Sequence, residues 1–284
     1  MGSFIGHAVP GTMFILISIW WYAGALRVCF RNIMTSDSTT LVHQRRKAKA
    51  DKDGKKIRNR AVYGCMGGKL PFEPITKVSL AIIGILGELL YEKQWALLDK
   101  EHNFVKEHLN NYAHASMFGF FGLSGIIDLV MIYDVAPFPD GLDFVFASLA
   151  FFVEGVLFYF HLDGRPHLSV RVHTFIYMLA FFTAMVFVIE MWASNQSIPA
   201  LVRAFLTSVH GAWFFQIAFV LHGPNPWKNT SENIEFVAIA FVMHVFTWAV
   251  VYLGVFVAVY RGCYASKLGV REPLLQEESA DEDF

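Results

Sequence analysis

The chain has 284 residues, of which 55% are hydrophobic and only 17% are charged, and its formal net charge is −1. A soluble domain of this size needs a more charged surface and could not bury 28 phenylalanines. These values exclude an ordinary soluble globular domain. We expect the lipid bilayer to be the main partner, and we expect no nucleic-acid partner.

Long stretches without Asp, Glu, Lys or Arg predict membrane-spanning helices. Two of these stretches are residues 8–26 and 236–260, with 19 and 25 residues. About 20 helical residues cross the hydrocarbon core of a bilayer, because a helix rises about 1.5 Å per residue. The sequence therefore predicts an all-α, polytopic bundle of seven transmembrane helices, at roughly 8–28, 73–92, 112–133, 142–161, 170–193, 199–221 and 236–260.

Basic residues indicate which side of the membrane faces the cytosol. The most basic segment, RRKAKADKDGKKIRNR (45–60), lies between the first and second predicted spans, and cytosolic loops collect Lys and Arg. This pattern predicts a lumenal or extracellular N-terminus and a cytosolic C-terminus. We interpret residues 1–262 as the transmembrane domain, with a flexible basic cytosolic loop at 35–70, and residues 263–284 as a disordered acidic cytosolic tail.

Ionisable side chains inside a membrane are costly, so each is a functional candidate by default. In the predicted topology most of them lie in the outer, lumenal half, where Glu154 and His161 share one face of the fourth span and His173 opens the fifth. The candidate site residues of this outer layer are His7, Glu88, His114, Glu154, His161, His173 and His244, with His210 and Gln216 as polar neighbours.

Histidines and a carboxylate at one depth are compatible with more than one chemistry. They suit a transition metal ion such as zinc, because imidazole and carboxylate groups are its usual ligands. They also suit a proton relay or a polar substrate, since histidine titrates near neutral pH. A purely structural role is the third interpretation. The sequence leaves all three open and indicates no catalytic residue.

The inner half of the bundle contains a different set of ionisable residues. Arg203 has two candidate partners, Glu190 and Asp128, and we favour a structural ion pair between helices. Outside the spans, Asn229 stands in the sequon NTS of a lumenal loop and is the glycosylation candidate. Leu274–Leu275 resembles a dileucine signal, which predicts contact with sorting machinery through the C-terminal tail.

Several sequence blocks occur in an order that resembles one family. They are GHAVPGTMF (6–14), GELL (87–90), HASMFGFFGLSGIID (114–128), FVEGVLFYFHLDGRPHLSVRVH (152–173), GAWFFQIAFVLHGP (211–224) and ENIEFVAIAFVMH (232–244). Over about residues 1–262 the chain resembles the transmembrane protein 45 family, a domain of unknown function. The resemblance implies a seven-helix protein of endomembranes such as the Golgi and endosomes, or of the plasma membrane, without established enzymatic activity.

Three functional hypotheses follow. The favoured one is a transport-like or sensing protein with a buried His/Glu site in its lumenal half that binds a metal ion or a proton. The second is a metal-dependent intramembrane hydrolase, for which Ser116, Ser124 and Asp128 on the third span are a loose match. The third is a non-catalytic membrane organiser that binds lipids inside the helix bundle or a partner protein. We regard an enzyme as the less favoured class.

Overall fold

The computed structural model describes residues 3–38, 70–90 and 96–281, and their side chains except those of 32–38, 106–107 and 264–281. Seven α-helices make up most of these residues: α1 Phe4–Ser38, α2 Phe72–Leu90, α3 Lys106–Ile132, α4 Leu142–Phe160, α5 His167–Trp192, α6 Ile198–His222 and α7 Ser231–Asp281. The prediction of an all-α fold is confirmed for the described residues. Most of the predicted basic loop at 35–70 lies outside them.

Six of these helices are long and apolar enough to cross a membrane: Phe4–Arg31, His108–Ile132, Leu142–Phe160, His167–Trp192, Ile198–His222 and Ser231–Cys263. Charge-free runs fold in this way because only a helix or a closed barrel satisfies the backbone groups of a segment in lipid. The chain is therefore an integral multi-pass membrane protein. Helix α2 is not among the six and carries Glu73, Lys77 and Glu88, so the count of seven spans stays a prediction.

The last helix continues well past its membrane-length segment. Helix α7 runs to Asp281, through most of the residues for which the sequence predicted a disordered tail. Residues 274–281, LLQEESAD, are rich in good helix formers such as Leu, Gln and Glu. The predicted domain boundary after residue 262 thus falls inside a helix, and the division into two domains stays a prediction.

Helices that follow one another in the chain and pack together do so antiparallel. Helix α2 packs on α3, α3 on α4, α4 on α5 and α5 on α6, while α1 lies against α6 and α7 contacts both α5 and α6. The direction follows from contacts at helix ends. Lys77, near the start of α2, bonds to Asp128 near the end of α3, and His161, just after α4, lies beside His173 near the start of α5.

Helices α1 and α6 approach each other closely at two glycines. A Cβ atom added to Gly211 would lie 2.7 Å from the carbonyl oxygen of Gly11 and 2.9 Å from the backbone nitrogen of Ile15. A Cβ added to Gly11 would lie 2.9 Å from the carbonyl oxygen of Gly211. Small residues allow such contact between the backbones of membrane helices. The two glycines therefore set how closely the first helix packs against the bundle.

This contact predicts that Gly211→Ala destabilises the protein. The added methyl group has to push apart two backbones, and overpacking of this kind costs about 1–3 kcal/mol. Thermal unfolding in detergent micelles should show a lower midpoint for Gly211→Ala than for the wild type. Gly119→Ala on α3 is the matched control, because a Cβ there meets nothing within 4 Å. Equal midpoints for the two variants would contradict the close backbone contact.

Candidate functional site

Five histidines from five parts of the fold meet at one end of the bundle, which we call the histidine end: His7, His114, His161, His173 and His222. The ring centroids are 5.3 Å apart for His7 and His222, 5.6 Å for His7 and His173, 6.1 Å for His161 and His173, and 6.3 Å for His114 and His161. The five rings form a continuous row across the bundle. The predicted set omitted His222, because this residue follows the last apolar residue of its span.

The most buried contact of the histidine end joins His7 and His173. Their Nε2 atoms are 3.4 Å apart, and both side chains are buried. Each ring also bonds through its Nδ1 to a carbonyl oxygen one turn earlier, His7 to Ser3 at 2.9 Å and His173 to Ser169 at 2.8 Å. Serine four residues before histidine, in SFIGH and SVRVH, is the sequence pattern common to both.

The rim of the histidine end carries two charged side chains. Glu88 accepts a hydrogen bond from Nδ1 of His114 at 3.1 Å, and both side chains are partly exposed. Arg165 donates to the carbonyl oxygen of His161 at 2.9 Å and also contacts its Nε2 atom. Burial, followed by the positive charge of Arg165, lowers the pKa of His161 from 6.5 to about 4, so this imidazole is neutral near neutral pH. Sequence reasoning missed Arg165, which follows the fourth span in the DGRP turn.

Glu154 pairs with His210 of α6 and not with His161, with which it shares one face of its span. Nε2 of His210 lies 3.5 Å from Oε1 of Glu154, and the two side chains are almost completely buried. This separation exceeds the usual 2.7–3.2 Å of a direct hydrogen bond. Among the residues that the structure describes, none forms a hydrogen bond with Oε2 of Glu154 or with either ring nitrogen of His210.

Two phenylalanine rings hold the imidazole of His210 in place. Phe14 of α1 stacks on it with a centroid distance of 4.6 Å, and Phe214 of α6 stacks on it at 5.3 Å. Phe214 also lies 6.4 Å from the ring of His7. The pair Glu154–His210 is thus enclosed by aromatic rings, and Phe214 stands between it and the histidine end.

Two further predicted residues contact each other away from this row. Nε2 of His244 lies 3.3 Å from the side-chain oxygen of Gln216, and the ring of His244 packs edge-on against Trp213 at 5.5 Å.

Asn229, the glycosylation candidate, is exposed, and its side-chain oxygen accepts a hydrogen bond from the backbone N–H of Leu168 at 2.9 Å. It therefore helps to fix the start of α5.

The opposite end of the bundle holds an inner ion-pair cluster of Glu73, Lys77, Asp128, Glu190 and Arg203. Arg203 donates to both oxygens of Glu190, at 2.7 and 3.2 Å, and its guanidinium lies 4.2 Å from the ring centroid of Trp21. Lys77 bonds to Asp128 at 2.8 Å, and Trp21 donates to Glu73 at 2.7 Å. Sequence reasoning missed Glu73 and Lys77, although their i,i+4 spacing on α2 was the available signal.

The three residues of the hydrolase hypothesis, Ser116, Ser124 and Asp128, form hydrogen bonds with groups other than histidines. The hydroxyl groups of Ser116 and Ser124 donate to carbonyl oxygens of their own helix, and Asp128 accepts from Lys77. In the described part of the chain, none of these three forms a hydrogen bond with a histidine. Within the described parts of the chain, no group of three or more His, Cys, Asp or Glu side chains is placed to hold a metal ion together.

The fold and the site define a class, an integral multi-pass membrane protein with buried ionisable side chains. Comparison with known proteins agrees with this class. The model of a family of unknown function, DUF716, matches residues 140–260, which include Glu154, His173 and His210. The match supports a membrane family of unknown function of this type, and the transmembrane protein 45 family remains a resemblance.

Two proteins with similar sequences carry the word transmembrane in their names. The chain is 23% identical over 291 residues to transmembrane epididymal protein 1A of Mus musculus, covering 99% of this chain and 90% of the relative. It is 25% identical over 177 residues to transmembrane epididymal protein 1 of Rattus norvegicus, covering 59% of this chain and 58% of the relative. Neither name states an activity.

The inner ion-pair cluster generates a stability prediction. Glu190→Ala leaves the guanidinium of Arg203 buried without its main partner, and breaking such a pair costs about 3–5 kcal/mol. Chemical unfolding in detergent micelles should show this loss. The double variant Glu190→Leu with Arg203→Met should recover much of it, because both charges of this pair are then removed.

Glu235→Ala, which removes an exposed carboxylate near the start of α7, is the control and should leave stability nearly unchanged. If Glu190→Ala costs no more than Glu235→Ala, the ion pair does not stabilise the bundle.

Proposed function

We propose that this chain is a seven-span endomembrane protein whose helix bundle takes up a proton at the pair Glu154–His210, and that it uses this proton in transport or in sensing. One observation carries the proposal. A carboxyl group and an imidazole lie 3.5 Å apart in the interior of the bundle, and three of their polar atoms have no hydrogen-bond partner in the described part of the chain.

The chemistry of the pair favours proton binding. Each unbonded polar atom in an apolar interior costs about 1–3 kcal/mol, so an arrangement with three of them needs a reason. One proton keeps the pair neutral overall, either as carboxylic acid with imidazole or as carboxylate with imidazolium. A second proton, or the loss of the first, places a net charge inside the membrane, which is costly. The free energy of the bundle therefore depends strongly on the number of protons bound.

The position of the pair allows this dependence to affect several helices. Glu154 belongs to α4 and His210 to α6, and Phe14 of α1 stacks on the imidazole. A change of charge at the pair therefore alters the contact between α4 and α6 and the stacking of Phe14 on the imidazole. Motion of these helices relative to one another is the kind of response that a proton-driven transporter or a pH sensor requires.

The seven-span topology is part of the proposal. Helix α2 lies along α3 from the Lys77–Asp128 contact to the Glu88–His114 contact, which are about 16 Å apart along α2 at about 1.5 Å per residue. All three of its ionisable side chains thus have partners on other helices, which reduces their cost in a membrane. With α2 as a span, the basic loop at 35–70 sets a lumenal N-terminus and a cytosolic C-terminus.

The remaining predictions rest on the sequence. Placement in the Golgi, in endosomes or at the plasma membrane comes from the family resemblance, and contact with sorting machinery comes from Leu274–Leu275. The organiser hypothesis, with lipids bound inside the bundle, stands as the alternative function. It predicts that protonation of Glu154 has no consequence for activity or stability.

Proteoliposomes that contain a pH-sensitive dye test the proposal. A transporter of this kind should dissipate an imposed pH gradient faster than empty vesicles, and Glu154→Gln should reduce the rate to that of empty vesicles, because glutamine keeps the size of the side chain and cannot ionise. His210→Gln should have the same effect. A sensor should instead show a thermal unfolding midpoint that varies with pH, and Glu154→Gln should weaken that variation.

His244→Gln is the matched control, since His244 lies on α7 and its polar partner is Gln216. It should behave like the wild type in both measurements. The proposal fails if Glu154→Gln changes neither the proton flux nor the pH dependence of unfolding relative to this control.

A further inference from the structure

The two buried histidines His7 and His173 present the same ring atom to each other. Their Nε2 atoms are 3.4 Å apart, and both side chains are at least nine-tenths buried, with exposed fractions of 8% and 1%. They come from α1 and α5, far apart in sequence, so the contact belongs to the tertiary fold. It is separate from the pair Glu154–His210, which lies on the other side of Phe214.

The hydrogen bonds of the two rings determine which nitrogen carries the proton. A carbonyl oxygen only accepts, so the Nδ1 atoms that contact Ser3 and Ser169 must be the N–H groups. In a neutral imidazole the other nitrogen, Nε2, is then an acceptor. Two lone pairs consequently face each other at 3.4 Å, and neither ring offers the other a hydrogen.

This arrangement matches what a metal ion requires of two histidine ligands. Metal-ligating histidines donate their second ring N–H to a carbonyl or carboxylate oxygen, which fixes the tautomer. Zinc binds imidazole nitrogen at about 2.0–2.1 Å with tetrahedral geometry, so two such nitrogens are about 3.3–3.4 Å apart. The observed separation of the two Nε2 atoms has this length. We propose that His7 and His173 bind a divalent transition metal ion, with zinc as the best fit, through their Nε2 atoms.

The surroundings leave coordination positions open. The ring of His222 lies 5.3 Å from that of His7, and the ring of His161 lies 6.1 Å from that of His173. Either ring, after rotation of its side chain, or water supplies the remaining ligands. Among the described residues, no carboxylate bonds to either of the two rings, and Glu88 bonds to His114 instead. A site with two neutral ligands and open coordination positions binds its metal ion exchangeably. The positive charge of Arg165 nearby lowers the affinity for the metal ion.

Metal binding to purified full-length protein in detergent tests this proposal. After equilibration with zinc and removal of excess metal, elemental analysis should find about one zinc ion per chain. Cobalt, which takes the same geometry, should give the visible absorption of a tetrahedral site. His7→Ala and His173→Ala should each weaken binding by more than about tenfold, since even loss of an outer partner costs about 10- to 100-fold. His173→Cys should retain binding, with a new thiolate-to-cobalt absorption band.

The controls separate this site from surface histidines and from the proton proposal. His167→Ala removes an exposed imidazole six residues from His173 on the same helix and should leave binding unchanged. Glu154→Gln should also leave it unchanged, so the failure of either proposal is visible without the other. Arg165→Gln should tighten binding because a positive charge is removed. The proposal would be overturned if the wild-type protein bound no metal, which is the result expected if the two rings share a proton instead. It would also be overturned if His7→Ala and His173→Ala left metal binding intact.

Discussion

The interior of a membrane has no water to solvate a charge, and the packing of this bundle depends on that constraint. Two ion pairs of the described residues join different helices: Arg203 of α6 bonds to Glu190 of α5, and Lys77 of α2 bonds to Asp128 of α3. Trp21 of α1 donates to Glu73 of α2 in the same cluster. The charges thus serve as specific contacts between helices whose other surfaces are apolar and could slide past one another.

The two ends of the bundle avoid isolated buried charges in different ways. The inner ion-pair cluster combines opposite charges at bonding distance, as a structural contact requires. At the histidine end five imidazoles meet, with Glu88 and Arg165 at the rim. The pKa of His161, lowered to about 4 by burial and by Arg165, keeps that ring neutral near neutral pH. Between these ends lies the pair Glu154–His210, in which three polar atoms have no hydrogen-bond partner among the described residues. Polar groups without partners in a buried position are better explained by binding than by stability.

The relative level of residues on neighbouring helices was predictable from the sequence, as was the choice of Glu190 or Asp128 as partner of Arg203, whereas most other side-chain partners were not. Counting residues along each span places His161 and His173 at the same level, and they do lie together. Glu154 is seven residues from His161 on one helix, which amounts to about 10 Å of rise, so its partner had to come from another helix at its own depth. Which one it is depends on how α4 and α6 are rotated about their axes. The Gly11–Gly211 contact that seats α1 depends on the same kind of tertiary detail.

The protonation of Glu154 is the central claim, and infrared difference spectroscopy of the membrane-reconstituted protein tests it most directly. Spectra recorded over a pH titration should contain the band of a protonated carboxyl group in an apolar environment. That band should be absent from Glu154→Gln, and its midpoint should shift in His210→Gln because the proton then has one acceptor instead of two. A spectrum in which Glu154→Gln removes no carboxyl band at any pH would contradict the account.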